Sequence, residues 1–203
     1  MPRTDTEIIR RKALVNAAIM EIGRAGSLDV TVSQIAGNAG VSSALAHHYF
    51  GSKDQIFLAA MRHIMSGFAA NVASELSKAN EPRERVQAII KASFSITNFS
   101  EEVISAWLNF YVKAQNSTEV QRLLRVYQHR LHSNFVHELA PIVGDHAAKI
   151  SHGLSAMIDG LYIRQALHDT PTNPKESVAM VVDYLDMCLQ KTANHHEKHQ
   201  NTT

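Results

Sequence analysis

Positions 42 to 53 read SSALAHHYFGSK, a run whose side chains suit contact with a nucleic acid better than catalysis. On one short helix, Ser43, Ala44, His47 and His48 share a face at i, i+1, i+4 and i+5. Small side chains at the start of such a helix let it enter a major groove deeply, where His47 and Ala44 face base edges. Tyr49 supplies a phenol donor and Lys53 a point charge, both suited to phosphate oxygens. The helix that starts after Ser52 presents free N–H groups, which also suit a phosphate. Upstream, Arg10, Arg11 and Lys12 form a cationic run able to neutralise a neighbouring phosphate or enter a minor groove.

These side chains need two short helices held at a fixed angle, and the flanking residues predict them. Thr31 is a helix N-cap and Gln34 stands at N3, the spacing of a capping box. The helix it starts runs from Val32 to about Ala39, and Gly40 occupies the left-handed position after a helix end. Val41 is a lone apolar residue in the turn. Ser42 caps a second helix, Ser43 to Phe50, with Leu45 facing inward and Gly51 as its stop. Ser52 and Gln55 repeat the capping spacing and open a third. Two short helices joined by a tight Gly-containing turn make a helix-turn-helix. Thr31, Ser42 and Ser43 therefore join Arg10, Arg11, Ala44, His47, His48, Tyr49 and Lys53 as candidate DNA-contacting residues.

Metal and catalytic chemistry find less support. Of the twelve histidines, His47-His48 and His195-His196 are adjacent pairs, whose side chains diverge by about 100° on a helix and do not converge on one metal. No H-E-x-x-H occurs. His129 and His132 stand at i, i+3 without a cysteine or paired carboxylates to complete a site, and read as a solvated face beside Arg125 and Arg130. No Gly-rich phosphate loop appears, and Cys188 lies in an apolar helix without a base partner. We expect no metal, no cofactor and no enzymatic activity. A helical enzyme is the remote alternative.

The chain has 203 residues, 45% of them hydrophobic and 19% charged, enough for a sizeable core. Twenty Lys and Arg stand against 19 Asp and Glu, which excludes a whole-protein positive field and leaves only a local basic patch. One cysteine excludes an internal disulfide. No uninterrupted apolar run approaches the roughly 18 residues of a membrane span. The segment from Leu14 to Ile22 is interrupted by Asn16 and Glu21, unlike a signal-peptide core. The expectation is a soluble, cytoplasmic protein without a membrane partner.

Apolar residues recur at helical spacing throughout, as at Leu14, Ala18, Ile22 and Ala25, or Val120, Leu124, Tyr127, Leu131 and Phe135. β-branched alternating runs are nearly absent. Breaks near residues 26, 40, 51, 80–82, 95–100, 115–117, 141–145 and 169–174 divide an all-α chain into about nine helices. The domain reading is a helix-turn-helix head at 1–54, a helical body at 55–191 and a disordered tail at 192–203. Apolar stripes on about 147–168 and 174–190, with small residues such as Gly153 and Gly160 on the first, suit a four-helix dimer interface.

Thr31, Ile35, Ala36, Ala39, Gly40, Val41, Ser42, Tyr49, Phe50 and Lys53 together resemble the DNA-binding signature of TetR-type repressors. The resemblance implies an all-helical homodimer: a three-helix DNA-binding head on each chain, a ligand-binding and dimerising body, and double-stranded operator DNA as partner. Two heads would read two half-sites of a pseudo-palindrome.

The body adds two aromatic segments. In EEVISAWLNFY, Trp107 and Tyr111 are i, i+4 beside Phe110. In MIDGLYIRQAL, Tyr162 follows Asp159. Such aromatics fit a helical core equally well. They also fit a box for an organic cation, since ring faces attract quaternary ammonium groups and a carboxylate adds charge complementarity. The segments IRRKALVNAA, ISAWLNFYVKAQ, RLLRVYQHRLHSN and IDGLYIRQAL further resemble TetR-type regulators of glycine betaine synthesis from choline. That likeness implies repression of betaine-synthesis and choline-uptake genes, released by choline or a related effector. Trp107, Phe110, Tyr111, Asp159 and Tyr162 are the candidate effector-binding residues, with the ligand held between the two helices that carry them. A TetR-type repressor answering another small molecule, a drug cation or a metabolite, is the alternative.

Overall fold

A computed structural model describes residues 5–167 and 173–200, with side chains to Asn194. Nine α-helices and one 3-10 turn account for the regular structure of the described residues. They are α1 (Asp5–Ala25), α2 (Val32–Asn38), α3 (Ser43–Phe50), α4 (Lys53–Leu76), α5 (Pro82–Ser93), α6 (Glu101–Ala114), α7 (Thr118–Val143), the 3-10 turn Gly144–His146, α8 (Ala147–Ala166) and α9 (Pro174–Gln200). The breaks fall where Gly, Pro and capping residues place them. Pro82 stands at the start of α5, where its missing N–H costs no hydrogen bond. Gly26, Gly40, Gly51 and Gly144 have positive φ at helix ends. α7 continues through Pro141 and ends at Val143, within the break at 141–145 that the sequence suggests. α9 continues to Gln200, through most of the segment read as a disordered tail, and 201–203 lie outside the described residues.

The chain divides into two compact units. The first comprises Met1–Gly67 and Ser100–Leu124, so α6 belongs with the helix-turn-helix region. Its core is built from Leu14, Ala18 and Ile22 of α1, Ile35 of α2, Ala46 of α3, Ile56 and Met61 of α4, and Ile104 and Phe110 of α6. Full burial of each large aliphatic or aromatic side chain contributes about 1.5–3 kcal/mol. α1 packs along α6, and the close approach requires Gly23, since a Cβ there would lie 2.6 Å from Glu102 Cα. Asn109 Nδ2 donates to the Gly26 carbonyl at 3.2 Å and ties the end of α1 to the same helix. α4 is, by length and composition alone, long and apolar enough to cross a bilayer. Its first half instead places Ile56, Phe57, Leu58, Met61 and Ile64 in the core.

The second unit comprises Phe68–Phe99 and Arg125–Thr203. Its core holds Val86, Ile89 and Ile90 of α5, Leu131, Phe135 and Leu139 of α7, Leu154 and Ile158 of α8, and Val181 and Leu185 of α9. Arg85 on α5 donates to both carboxylate oxygens of buried Glu138 on α7, at 2.7 and 2.9 Å. It also donates to the Leu76 and Ala79 carbonyls at the end of α4. One guanidinium thus satisfies a buried carboxylate and orphaned helix-end carbonyls together. His132 does not sit on a solvated face with His129. Its Nδ1 lies 2.8 Å from the buried Ser151 hydroxyl and its ring stacks on His152 at 4.5 Å. Burial, then the neighbouring His152 and His129, pushes its pKa below the ordinary imidazole range.

The α1–α6 contact yields a test in which two effects oppose. Ala is favoured over Gly inside a helix by about 0.8–1.0 kcal/mol. Forcing α1 away from the α6 backbone costs about 1–3 kcal/mol, as overpacking does. The steric term should win, so Gly23→Ala lowers the thermal unfolding midpoint. A raised midpoint would mean that the two helices separate at little cost.

Candidate nucleic-acid interface and effector-binding residues

The helix-turn-helix forms through the caps that the sequence specifies. Gln34 N–H donates to Thr31 Oγ1 at 3.1 Å, and Thr31 N–H donates to Gln34 Oε1 at 2.7 Å, closing the capping box. The turn closes when Val41 N–H donates to the Ala36 carbonyl at 3.0 Å, with Gly40 at φ +68°. Leu45 N–H donates to Ser42 Oγ at 3.2 Å, and Gln55 N–H to Ser52 Oγ at 3.3 Å. The hydroxyls of Thr31 and Ser42 therefore set helix starts within the protein.

α3 presents Ala44, His47 and His48 to solvent, with Ser43, Tyr49 and Phe50 half-buried. Its inward residue differs from expectation: Ala46 is fully buried, while Leu45 and Val41 remain half-exposed. A methyl group at the contact lets α3 approach α1 and α2 closely, and a leucine there would hold it off. His47 Nδ1 lies 3.2 Å from the Gly51 carbonyl. Lys53 Nζ donates to the Leu28 carbonyl at 3.3 Å and sits 5.6 Å from the Phe57 ring, tying the start of α4 to the loop after α1. Of the cationic run, Arg10 and Lys12 are exposed. Arg11 turns inward: Nη1 donates to the Tyr49 carbonyl, and the guanidinium lies 4.4 Å from the Phe50 ring centroid.

The effector candidates fall into two groups. Trp107 and Phe110 on α6 are buried in the first unit, and the Trp107 ring meets half-buried Tyr111 at 6.0 Å and 33°. The first unit also holds a cavity of about 330 Å³ whose lining includes Phe57, Phe110, Asp54, Lys113 and Glu119. Ion pairs bound it: Lys113 to Asp54 at 3.2 Å and Arg62 to Glu119 at 3.4 Å. In the second unit, buried Tyr162 packs edge-on against Phe99 at 5.1 Å and beside Phe94 at 6.0 Å. Its hydroxyl donates to the Ser93 carbonyl and lies 3.3 Å from the Asn98 carbonyl. Burial, with a smaller contribution from Asp159, pushes the phenol far above its ordinary range. Phe94 and Phe99 carry no signal in the sequence, because the five-residue step between them matches neither helical nor strand spacing. Among the described residues no three His, Cys, Asp or Glu side chains converge on a point that would hold a metal.

Residues 14–60 match the model of bacterial regulatory proteins of the tetR family, and residues 82–190 match the C-terminal domain of BetI-type transcriptional repressors. The chain belongs to the TetR family. The HTH-type transcriptional regulator BetI of Brucella anthropi is 50% identical over 190 residues, covering 93% of this chain and 98% of that protein. The BetI regulator of Agrobacterium fabrum is 47% identical over 191 residues, with 94% and 93% covered. Among solved structures, a Saccharomonospora viridis regulator crystallised with choline aligns at a TM-score of 0.77 and 22% identity, covering 87% of this chain and 95% of that one. A Rhodococcus regulator aligns at 0.78 and 21%, covering 89% and 96%. These two show the shared fold. As a TetR-family repressor the protein binds operator DNA as a homodimer under control of a small molecule, and it is not an enzyme.

The Tyr162 hydroxyl is the sole difference between Tyr162→Phe and wild type, so the variant separates anchoring from ligand contact. Losing it leaves two buried carbonyls short of a donor, a cost of about 1–3 kcal/mol. The variant should melt at a lower temperature yet bind effector as wild type does, because the ring stays. Calorimetry showing lost effector binding at an unchanged midpoint would make the hydroxyl a ligand contact.

Proposed function

We propose that this TetR-family regulator represses genes for glycine betaine synthesis from choline and for choline uptake, and that choline or a related quaternary ammonium compound releases them. The observation that carries the reading is the near-50% identity to BetI regulators over nearly the whole chain, body included. The choline named for the S. viridis structure adds to it. The head at 1–54 engages the operator, with Arg10, Arg11, Thr31, Ser42, Ser43, Ala44, His47, His48, Tyr49 and Lys53 as the candidate residues for contacting it or positioning the helix that does. The body at 55–191 takes the effector, with Trp107, Phe110, Tyr111, Asp159 and Tyr162 as candidate contacts. The protein works in the cytoplasm, where its operator is.

Ring faces meeting a trimethylammonium group contribute about 0.5–2 kcal/mol each once water is excluded. The pair of buried Trp107 and half-buried Tyr111 supports such a contact on α6. Binding need only favour the non-operator conformation by a few kcal/mol to empty the operator. Titration calorimetry with choline tests the reading. Heat is expected with wild type and a much weaker signal with Trp107→Ala. A wild type silent to choline but responsive to another cation or metabolite would select the alternative effector. Equal binding by Trp107→Ala would keep choline and remove this cage.

Dimerisation is assigned to α8 and α9. Met180 and Met187 of α9 and Ile163 of α8 are 47, 61 and 44% exposed, apolar surface that a partner chain would cover. A cavity of about 500 Å³ lined by Ile150, Tyr184, Met187 and Cys188 adjoins Met187. Met187→Glu should shift the protein toward monomer in analytical ultracentrifugation while its helical circular dichroism persists. An undiminished dimer would place the interface elsewhere.

A further inference from the structure

Three consecutive cations on a helix spread across about 200° of its circumference, so Arg10, Arg11 and Lys12 cannot all face the same phosphate. Arg11 continues the buried stripe of α1, standing three and four residues before Leu14 and Val15. Its guanidinium lies 4.4 Å from the Phe50 centroid and 5.9 Å from that of Tyr49. It donates to the Tyr49 carbonyl, and the Glu7 carboxylate stands 3.9 Å away on the preceding turn. We propose that Arg11 is a positioning residue that clamps the C-terminal end of α3 to α1 and so aims the exposed face of α3 at base edges, instead of neutralising a phosphate. The proposal rests on operator binding by the head.

The physical case starts from the length of α3. Eight residues leave most of its terminal carbonyls without intrahelical partners. Gly51 N–H takes the His47 carbonyl at 2.7 Å. Arg11 takes the Tyr49 carbonyl and puts a cation at the negative end of the helix. A main-chain hydrogen bond at this end restrains the tilt of α3. Stacking on Phe50 restrains its roll, because Phe50 projects from the last turn. Roll decides whether Ala44, His47 and His48 face outward together. A planar guanidinium can stack on a ring and donate from its edge at once, and an ammonium cannot. α1 is held at its other end against α6 by the Gly23–Glu102 contact, so α6 and the recognition helix are borne by one rigid rod.

Salt dependence separates this role from a phosphate contact. The operator probe is the duplex that wild type enriches from a randomised pool, and the control is a scrambled duplex of the same composition, both without choline. Binding is titrated from 50 to 200 mM salt, the range over which phosphate contacts are lost, for wild type, Arg11→Ala, Arg11→Lys, Phe50→Leu and Lys12→Ala. Positioning predicts that Arg11→Ala weakens operator binding by about tenfold or more, the cost of misreading a base pair, with scrambled-duplex binding nearly unchanged. The slope of log affinity against log salt should stay at the wild-type value. Arg11→Lys should fail to restore the operator-to-scrambled ratio, and Phe50→Leu, with every charge intact, should reproduce the loss. A phosphate contact predicts the opposite: a slope smaller by about 0.9, equal losses on both duplexes and rescue by Lys. That pattern, or an unchanged ratio in Arg11→Ala, overturns the proposal. Lys12→Ala calibrates the slope expected of an exposed cation. Where Arg11→Ala fails to fold, Arg11→Lys and Phe50→Leu decide between the two roles by the same ratio and slope. Failure of wild type to enrich any sequence would overturn the operator reading and the proposal with it. Enrichment followed by unchanged ratios overturns the proposal alone.

Discussion

Helices of seven and eight residues do not persist in water alone, since nucleation costs more than so few hydrogen bonds return. The helix-turn-helix of this protein holds one of them, α3, at a fixed angle. Each of its ends is secured by a different device. Ser42 takes an N–H at the start, and Gly51 and Arg11 take carbonyls at the finish. Ala46 seats the middle against α1 and α2. The side chains that remain outside, Ala44, His47 and His48, are therefore held in place by Ser42, Ala46, Gly51 and Arg11.

A second constraint governs the aromatic residues of the body. A phenol hydroxyl removed from water must find a partner, and Tyr162 finds two carbonyls at the turn after α5. That turn also carries Phe94 and Phe99, so the three rings and one hydroxyl hold it together. Trp107 and Tyr111 differ: their rings meet on α6, Trp107 buried and Tyr111 half-exposed. Of the five candidate effector residues, Tyr162 thus carries a structural duty of its own, and burial pushes its phenol pKa up.

Charge is distributed along the same lines. Arg85 joins a buried carboxylate to the end of α4, and Arg83 makes a bidentate pair with Asp186 between α5 and α9 at 2.8 and 2.9 Å. Lys113–Asp54 and Arg62–Glu119 bound the cavity of the first unit. Several of the chain's cations are therefore held in ion pairs within the protein.

Local chemistry determined much of this protein before any packing was considered. The capping box at Thr31 and Gln34, the left-handed Gly40, the α3 limits Ser43–Phe50 and the all-helical class depend on contacts within four or five residues, which spacing reveals directly. The homology of head and body extended that reading to the family. Tertiary structure decided what spacing cannot distinguish. It placed α6 with the first unit, put Ala46 instead of Leu45 at the helix contact, turned His132 toward Ser151, and engaged Tyr162 with a distant turn. It also drew Arg11 out of a run of three cations that look equivalent in sequence and set it against Tyr49 and Phe50, nearly forty positions away. Periodicity marks which face of a helix is buried. Which partner meets that face depends on the approach of segments far apart in the chain, and so on the volume and hydrogen-bonding needs of residues that local spacing does not connect.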